Sequence, residues 1–207
     1  MTEKQCQLTD KLRNYVYRYG VELSDENLKK MGLSKQEIDE NFSGMEEVAK
    51  LIFEQERIAF EKIFEEYNFD GWNAIDILLL VSNEINTRFF DVSPSVSYKL
   101  AKAFPAIFEE HRNQRSDFIY EKIKINIEKG MQQGIYKNDV SSEMVARMYI
   151  AKLNDIHNTE IYPPEYFSFA TIFDNLIDDV IKAITNDEGW QYYKQRKQLY
   201  NILNFNR

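Results

Sequence analysis

Apolar residues recur at intervals of three and four along most of the chain, which is the spacing of an amphipathic helix. In the first segment this spacing joins Leu8, Leu12, Tyr15 and Tyr19 and stops at Gly20. Glycine commonly ends helices because it adopts the left-handed conformation without steric cost. The pattern therefore predicts a first helix that ends at Gly20.

Serine residues mark the predicted starts of the next helices. Ser24 precedes two acidic residues, which favour the positive end of a helix dipole, and it predicts a short helix that ends near Met31. Ser34 is followed three residues later by Glu37, and Ser43 is followed in the same way by Glu46. Both pairs have the spacing of a capping box. They enclose a predicted helix of about seven residues, and a long helix to about Tyr67 follows.

The remaining two thirds of the chain continue this helical pattern with short breaks. The predicted helices cover 72–90, a segment from Ser93, a segment from Phe104, 116–129, 142–157 and 168–185. No internal repeat or linker-like tract separates them. The fold class predicted is therefore all-α, with a small N-terminal module and a larger helical body in one packed unit.

Composition agrees with a helical core and indicates the compartment. Of 207 residues, 43% are hydrophobic and 14% aromatic, whereas only seven are glycine and four are proline. The sequence contains neither a run of about 18 apolar residues nor the apolar stretch of a signal peptide. We therefore expect a cytoplasmic protein without membrane association.

Candidate catalytic chemistry is sparse. Cys6 is the only cysteine, and His111 and His157 stand 46 positions apart, outside any metal-ligand or nucleophile motif. Acidic pairs such as Glu65 and Glu66 are adjacent on helices, so they point in different directions. These features predict no metal, no cofactor and no enzymatic activity.

Two short helices joined at residues 32–34, with a helix before and a long helix after, predict a helix-turn-helix. The local pattern resembles the TetR family of transcriptional regulators at Gly20, Ser24, Leu28, Gly32, Leu33, Ser34, Lys35, Ile38, Phe42, Glu46, Glu47 and Val48. Three later stretches, 90–95, 130–136 and 161–168, are also similar to regulators of this type. The resemblance thus covers most of the chain.

The resemblance implies a separate function for each of the two parts of the chain and a set of partners. Residues 1–48 would bind palindromic double-stranded operator DNA, and residues 49–207 would form a homodimer and hold an unidentified small apolar or amphipathic effector. The candidate DNA-binding residues are Ser24, Lys29, Ser34, Lys35, Gln36, Glu37 and Asn41. The candidate effector pocket, expected to reach roughly 300 Å³, comprises Phe89, Phe90, Tyr98, Phe108, Phe118 and Tyr149. The candidate dimer interface comprises Met144, Met148, Phe169, Phe173, Leu176, Ile177 and Val180.

The charge of the second short helix supports an alternative function. The chain carries a net charge of -8, and residues 35–47 hold one basic side chain against five acidic ones. Where the family has a phosphate-contacting lysine, this sequence has Met45. Carboxylates repel phosphates, although a carboxylate can accept a hydrogen bond from cytosine. The alternative is a helical ligand-binding or protein-interaction dimer that has lost DNA binding.

Overall fold

The computed structural model describes residues 2–88, 93–156, 158, 160–163 and 165–204. These residues form ten helices: α1 (Glu3–Tyr19), α2 (Asp25–Lys30), α3 (Lys35–Asn41), α4 (Met45–Glu66), α5 (Ala74–Arg88), α6 (Ser93–Ala103), α7 (Pro105–Gln132), α8 (Ser142–Asp155), α9 (Phe169–Ile184) and α10 (Asp187–Asn204). The all-α prediction is confirmed. Within the described ranges, the extended pairing amounts to one isolated bridge between Tyr136 and Thr185.

A buried tyrosine ties α1 to the start of α2. The hydroxyl group of Tyr15, on α1, donates to the carbonyl oxygen of Glu22 at 2.9 Å and accepts from the amide of Ser24 at 3.0 Å. It therefore fixes the loop that leads into α2. Gly20 has a φ of 85°, a conformation that favours glycine, so the predicted end of α1 is confirmed.

Two hydrophobic cores divide the molecule. The N-terminal core contains residues of α1 to α4 and also Val96, Leu100 and Ile107 from α6 and α7. The second core is formed by α5, α7, α8, α9 and α10, together with the segment after α7. The N-terminal module is thus packed on the body beyond residue 48, and α4 contributes to both halves.

The structure corrects several helix boundaries. The predicted break before Ser116 is absent, because α7 runs without interruption from Pro105 to Gln132. Ser43 bonds the carboxylate of Glu47 rather than that of Glu46, and α4 begins one residue later, at Met45 after Gly44. The final helix, α10, was not predicted. No helix in the described part of the chain is both long and apolar enough to cross a membrane.

Candidate functional site

The helix-turn-helix is formed by α2 and α3. Gly32, with a φ of 64°, turns the chain after α2, so that the amide of Leu33 donates to the carbonyl oxygen of Leu28 at 2.9 Å. Ser34 then accepts from the amide of Glu37 and caps α3, as the sequence predicted. Ile38 anchors the inner face of α3 in the N-terminal core. The opposite face of α3 is consequently turned outward.

The predicted DNA-binding residues belong to α2, α3 and their N-caps and differ in exposure. Ser24, Lys29, Ser34, Lys35 and Gln36 are exposed, whereas Glu37 and Asn41 are half-buried. The side-chain amide of Asn41 donates to the carbonyl oxygen of Glu37 at 2.7 Å, within α3 itself. The hydrogen bond of the Asn41 side chain is therefore made within its own helix.

The outward face of α3 combines cationic, neutral and acidic side chains. Lys35, Gln36, Asp39 and Glu40 are all exposed. The amide of Gln36 donates to the carboxylate of Glu40 at 2.9 Å. Met45, at the start of α4, packs instead against the N-terminal core. The acidic character expected from the sequence therefore lies on the surface of α3.

A cavity of about 100 Å³ lies in the body between α4, α5, α7, α8 and α9. Its apolar lining comprises Phe60, Phe64, Ile77, Leu78, Val81, Ile85, Ile119, Ile123, Leu153, Phe169, Phe173 and Ile177. Its polar lining comprises Glu56, Arg57, Ser82, His111, Arg115, Lys122, Asn126 and Tyr149. The volume of this cavity is about a third of the roughly 300 Å³ expected from the sequence.

Of the four predicted pocket residues that the structure describes, Tyr149 alone lines the first cavity. Tyr149 lines the cavity, and Phe118 lies behind its wall, 5.6 Å from the ring centre of Phe60. Phe108 packs on Phe53 in the N-terminal core, and the hydroxyl group of Tyr98 donates to Glu160. Phe89 and Phe90 lie outside the described residues.

The polar wall of the cavity was not predicted from the sequence. Along α7, residues His111, Arg115, Ile119, Lys122 and Asn126 follow one another at intervals of three and four and all line the cavity. The predicted break before Ser116 had hidden this spacing, because it assigned these residues to two helices. One uninterrupted helix through this segment would have placed these five residues on the same face.

A second cavity, of about 260 Å³, lies between α4 and α7. Its lining comprises Lys50, Phe53, Glu54, Arg57, Ile107, Glu110, His111 and Gln114. Arg57 and His111 also line the first cavity, so these two side chains stand between the two spaces. The imidazole of His111 stacks on Phe53 with ring centres 4.5 Å apart. It thereby connects the cavity wall with the N-terminal core.

Burial alters the protonation of groups in the cavity wall. The pKa of His111 is lowered to about 4, first by burial and then by the positive charges of Arg115 and Arg57. Burial also lowers the pKa of Arg115, while the carboxylate of Glu56 acts to raise it. The pKa of the Tyr149 hydroxyl is raised by burial. His111 is therefore neutral at pH 7.

The predicted dimer interface divides into exposed and buried residues. Met144 and Met148 are 62% and 56% exposed on α8, and Val180 is half-buried on α9. In contrast, Phe173, Leu176 and Ile177 are only 1%, 5% and 5% exposed within the single chain. Phe169 is half-buried and lines the first cavity. Phe173, Leu176 and Ile177 therefore face the core of their own chain, and the interface itself stays a prediction.

In the described ranges, no three histidine, cysteine, aspartate or glutamate side chains converge in a way that could hold a metal ion. Cys6 is a free thiol on α1.

Comparisons with known proteins gave matches in structure only. No family model matches the chain, and no curated protein matches its sequence. Among solved structures, a protein described as a transcriptional regulator from Saccharomonospora viridis, in complex with choline, aligns with a TM-score of 0.70 at 15% identity, over 90% of this chain and 100% of that one.

Two further solved structures carry a family name. The TetR family protein CprB from S. coelicolor A3(2) aligns with a TM-score of 0.70 at 11% identity, over 95% of this chain and 96% of its own. A TetR family transcriptional regulator from Agrobacterium tumefaciens aligns with a TM-score of 0.64 at 15% identity, over 88% of this chain and 98% of its own. The similarity therefore extends over nearly the whole length of each protein.

Proposed function

We propose that this chain, which has the fold of TetR-family transcriptional regulators, is a homodimeric regulator that binds palindromic operator DNA and responds to a small-molecule effector. One observation carries the proposal. α3 has a capped start and a buried Ile38 on its inner face, while Lys35 and Gln36 remain exposed. A short helix presented in this way by a helix-turn-helix can enter the major groove.

The exposed residues of α3 suit two different contacts with DNA. Gln36 can read an adenine through two hydrogen bonds, once its amide leaves Glu40. Lys35, together with Lys29 on α2, can neutralise phosphates and so position the helix without reading sequence. Base recognition would therefore rest on Gln36, and part of the affinity on the two lysines.

In the proposed function, a second copy of the chain pairs with the first to form the DNA-binding dimer. The exposed Met144 and Met148 form an apolar patch on α8, and Val180 adds a half-buried side chain on α9. Joining these faces about a two-fold axis would place two copies of α3 on one side of the dimer. Two half-sites on DNA would then be separated by about one helical turn or a multiple of it.

The effector would act through the cavity in the body. Glu56, Arg57, Phe60 and Phe64 bring α4 into the cavity wall, and the first turn of the same helix packs in the N-terminal core. A ligand can favour one separation of the two α3 helices only to the extent that it binds that state more tightly. The choline complex of the Saccharomonospora viridis protein supports the view that this fold accepts small ligands.

A second candidate function is supported by the acidic surface of α3. Asp39 and Glu40 are exposed on the helix that would enter the groove, and Met45 offers no positive charge at the start of α4. Phosphate neutralisation supplies much of the affinity of a protein for DNA. The alternative is a dimer of the same fold that binds a ligand or a protein partner and no longer binds DNA.

Selection of bound fragments from a random pool of duplex DNA at low salt distinguishes the two functions. A regulator should enrich a palindromic consensus. A dimer that has lost DNA binding should leave the pool without enrichment, and this result would contradict the proposal.

A further inference from the structure

The polar wall of the first cavity carries an excess of positive charge. Arg57, Arg115 and Lys122 line the cavity together with a single carboxylate, that of Glu56. His111 adds no charge at neutral pH, because burial lowers its pKa to about 4. Charged groups are costly to bury in an apolar space unless a partner of opposite sign is provided.

Two of the three cations have partners within the protein. The guanidinium group of Arg57 donates to both carboxylate oxygens of Glu61, at 2.9 and 3.0 Å. The carboxylate of Glu56 interacts electrostatically with Arg115 and acts to raise its pKa. These two arginines are therefore compensated by acidic groups.

Lys122 differs from both arginines. Its side chain is half-buried, and no acidic side chain of the described residues forms an ion pair with it. Its ammonium group instead lies over two aromatic rings, 5.1 Å from the ring centre of Phe64 and 5.0 Å from that of Phe118. Among the described residues, Lys122 thus brings to the cavity wall a positive charge that forms no ion pair.

The same contacts argue against a cationic ligand. Phe60, Phe64 and Phe118 meet edge to face, with ring centres 5.5 to 5.7 Å apart, and form a cluster whose faces could attract a cation. The ammonium group of Lys122 already occupies the faces of two of these rings. A ligand cation would have to displace this ammonium group from the rings.

We propose that the first cavity binds a small monocarboxylate with an apolar body, and that Lys122 donates hydrogen bonds to its carboxylate. The apolar body lies against side chains of α5, α8 and α9, including Leu78, Leu153 and Phe173. The volume of about 100 Å³ favours a short body. This inference rests on the proposed function, since it names the chemical class of the effector.

Three probes of equal chain length test the charge of the ligand. Hexanoate, 1-hexanol and hexyltrimethylammonium would each be titrated into the full-length protein at neutral pH in a calorimeter, without DNA. Hexanoate should bind at least tenfold more tightly than 1-hexanol, because a charge-assisted hydrogen bond adds to the same apolar contacts. Hexyltrimethylammonium should not bind. Tighter binding of the alcohol or the cation, or no binding of any probe, would overturn the inference.

Lys122→Met tests the assignment of the carboxylate contact. Methionine keeps an unbranched side chain over the rings and removes the charge, so the affinity for hexanoate should fall about tenfold while that for 1-hexanol is unchanged. Lys124→Met, two residues along the same helix and outside the cavity lining, is the matched control and should bind hexanoate as the parent does. Equal losses in both variants would contradict the role of Lys122.

The outcome is independent of DNA binding. A parent protein that prefers hexanoate but enriches no DNA would refute the regulator and retain the ligand class. A protein that enriches a palindrome but prefers 1-hexanol would refute the ligand class alone. If Lys122→Met does not fold, the comparison of the three probes on the parent protein still decides the charge of the ligand.

Discussion

His111 is a buried base placed between two arginines and an aromatic ring. Its imidazole stacks on Phe53, and the positive charges of Arg115 and Arg57 add to the effect of burial on its pKa. The protonated form is therefore disfavoured in the folded protein. The pKa of about 4 in the folded state lies below the value of about 6.5 expected for an unfolded chain.

This difference predicts a loss of stability in acid. Between pH 6.5 and pH 4 the unfolded chain binds a proton at His111 that the folded chain does not bind, so the stability from this residue is present above pH 6.5 and is lost as the pH falls. The loss is at most about 3.5 kcal/mol, at about 1.4 kcal/mol for each pKa unit. His111→Asn should reduce the difference in unfolding free energy between pH 7.5 and pH 4.5, measured with urea. An unchanged difference would show that His111 does not titrate in this way.

Gly130 is a second residue whose role comes from its neighbours. A Cβ atom added at this position of α7 would lie 2.1 Å from the ring of Tyr136. Tyr136 is buried, and its hydroxyl group donates to Asn126 at 3.2 Å, so the ring has little room to move. Gly130→Ala should therefore destabilise the protein by about 1–3 kcal/mol, despite the better helix propensity of alanine.

Tyr136→Leu removes the ring, and Gly130→Ala is therefore measured again in that variant. In that background Gly130→Ala should cost little or become stabilising, which thermal unfolding of the four proteins would measure. An equal cost in both backgrounds would contradict close packing of Tyr136 on Gly130.

The roles of residues that depend on distant side chains could not be predicted from the sequence. Ser24, Ser34 and Gly20 act within a few positions of their own place in the chain, and the structure confirms their predicted roles. Gly130 and Lys122 depend on side chains that the fold brings to them from elsewhere. Local patterns therefore predicted the helix ends of the N-terminal module but not the lining of the cavity.

At the scale of elements, α7 shows how one boundary affects a whole site. Its 28 residues contain Ser116, a frequent helix-capping residue, and the sequence argument placed a helix start there. In the structure the serine lies inside the helix, where tertiary packing outweighs its local preference. Joining the two predicted helices would have brought His111, Arg115 and Lys122 onto one face.

The acidic face of α3 makes a prediction about affinity for DNA. Asp39→Tyr, Glu40→Arg and Met45→Lys together remove two negative charges and introduce two positive ones. Binding to random duplex DNA at low salt should strengthen by about tenfold or more, and each new phosphate contact should steepen the salt dependence by about 0.9. Fluorescence anisotropy at several salt concentrations measures both quantities.

Asp187→Tyr with Glu188→Arg provides the control for net charge, which it raises by three where the triple variant raises it by four. These two acidic residues are exposed in the first turn of α10, away from the N-terminal module. This variant should gain much less affinity than the triple variant. Equal gains would mean that net charge, rather than the face of α3, governs binding to DNA.

At the scale of the whole molecule, the exposed patch on α8 predicts how copies of the chain assemble. Light scattering at micromolar concentration should give twice the mass of one chain, because Met144 and Met148 would be covered by a partner. Met144→Glu with Met148→Glu should give the mass of a single chain, since charges would be buried in an apolar interface.

Ile125→Glu is the control for assembly, because Ile125 is 56% exposed on α7 outside the predicted interface. This variant should remain at twice the chain mass. A parent protein that is monomeric, or a double variant that still dimerises, would place the interface elsewhere.

The central claim is that two copies of this chain read two half-sites on one duplex. The most direct measurement is the mass of the complex between the parent protein and a duplex enriched from the random pool, determined by sedimentation with one or both half-sites intact. We expect two chains on the intact duplex and a large loss of affinity when either half-site is scrambled. A pool without enrichment, or binding that is indifferent to the second half-site, would contradict it.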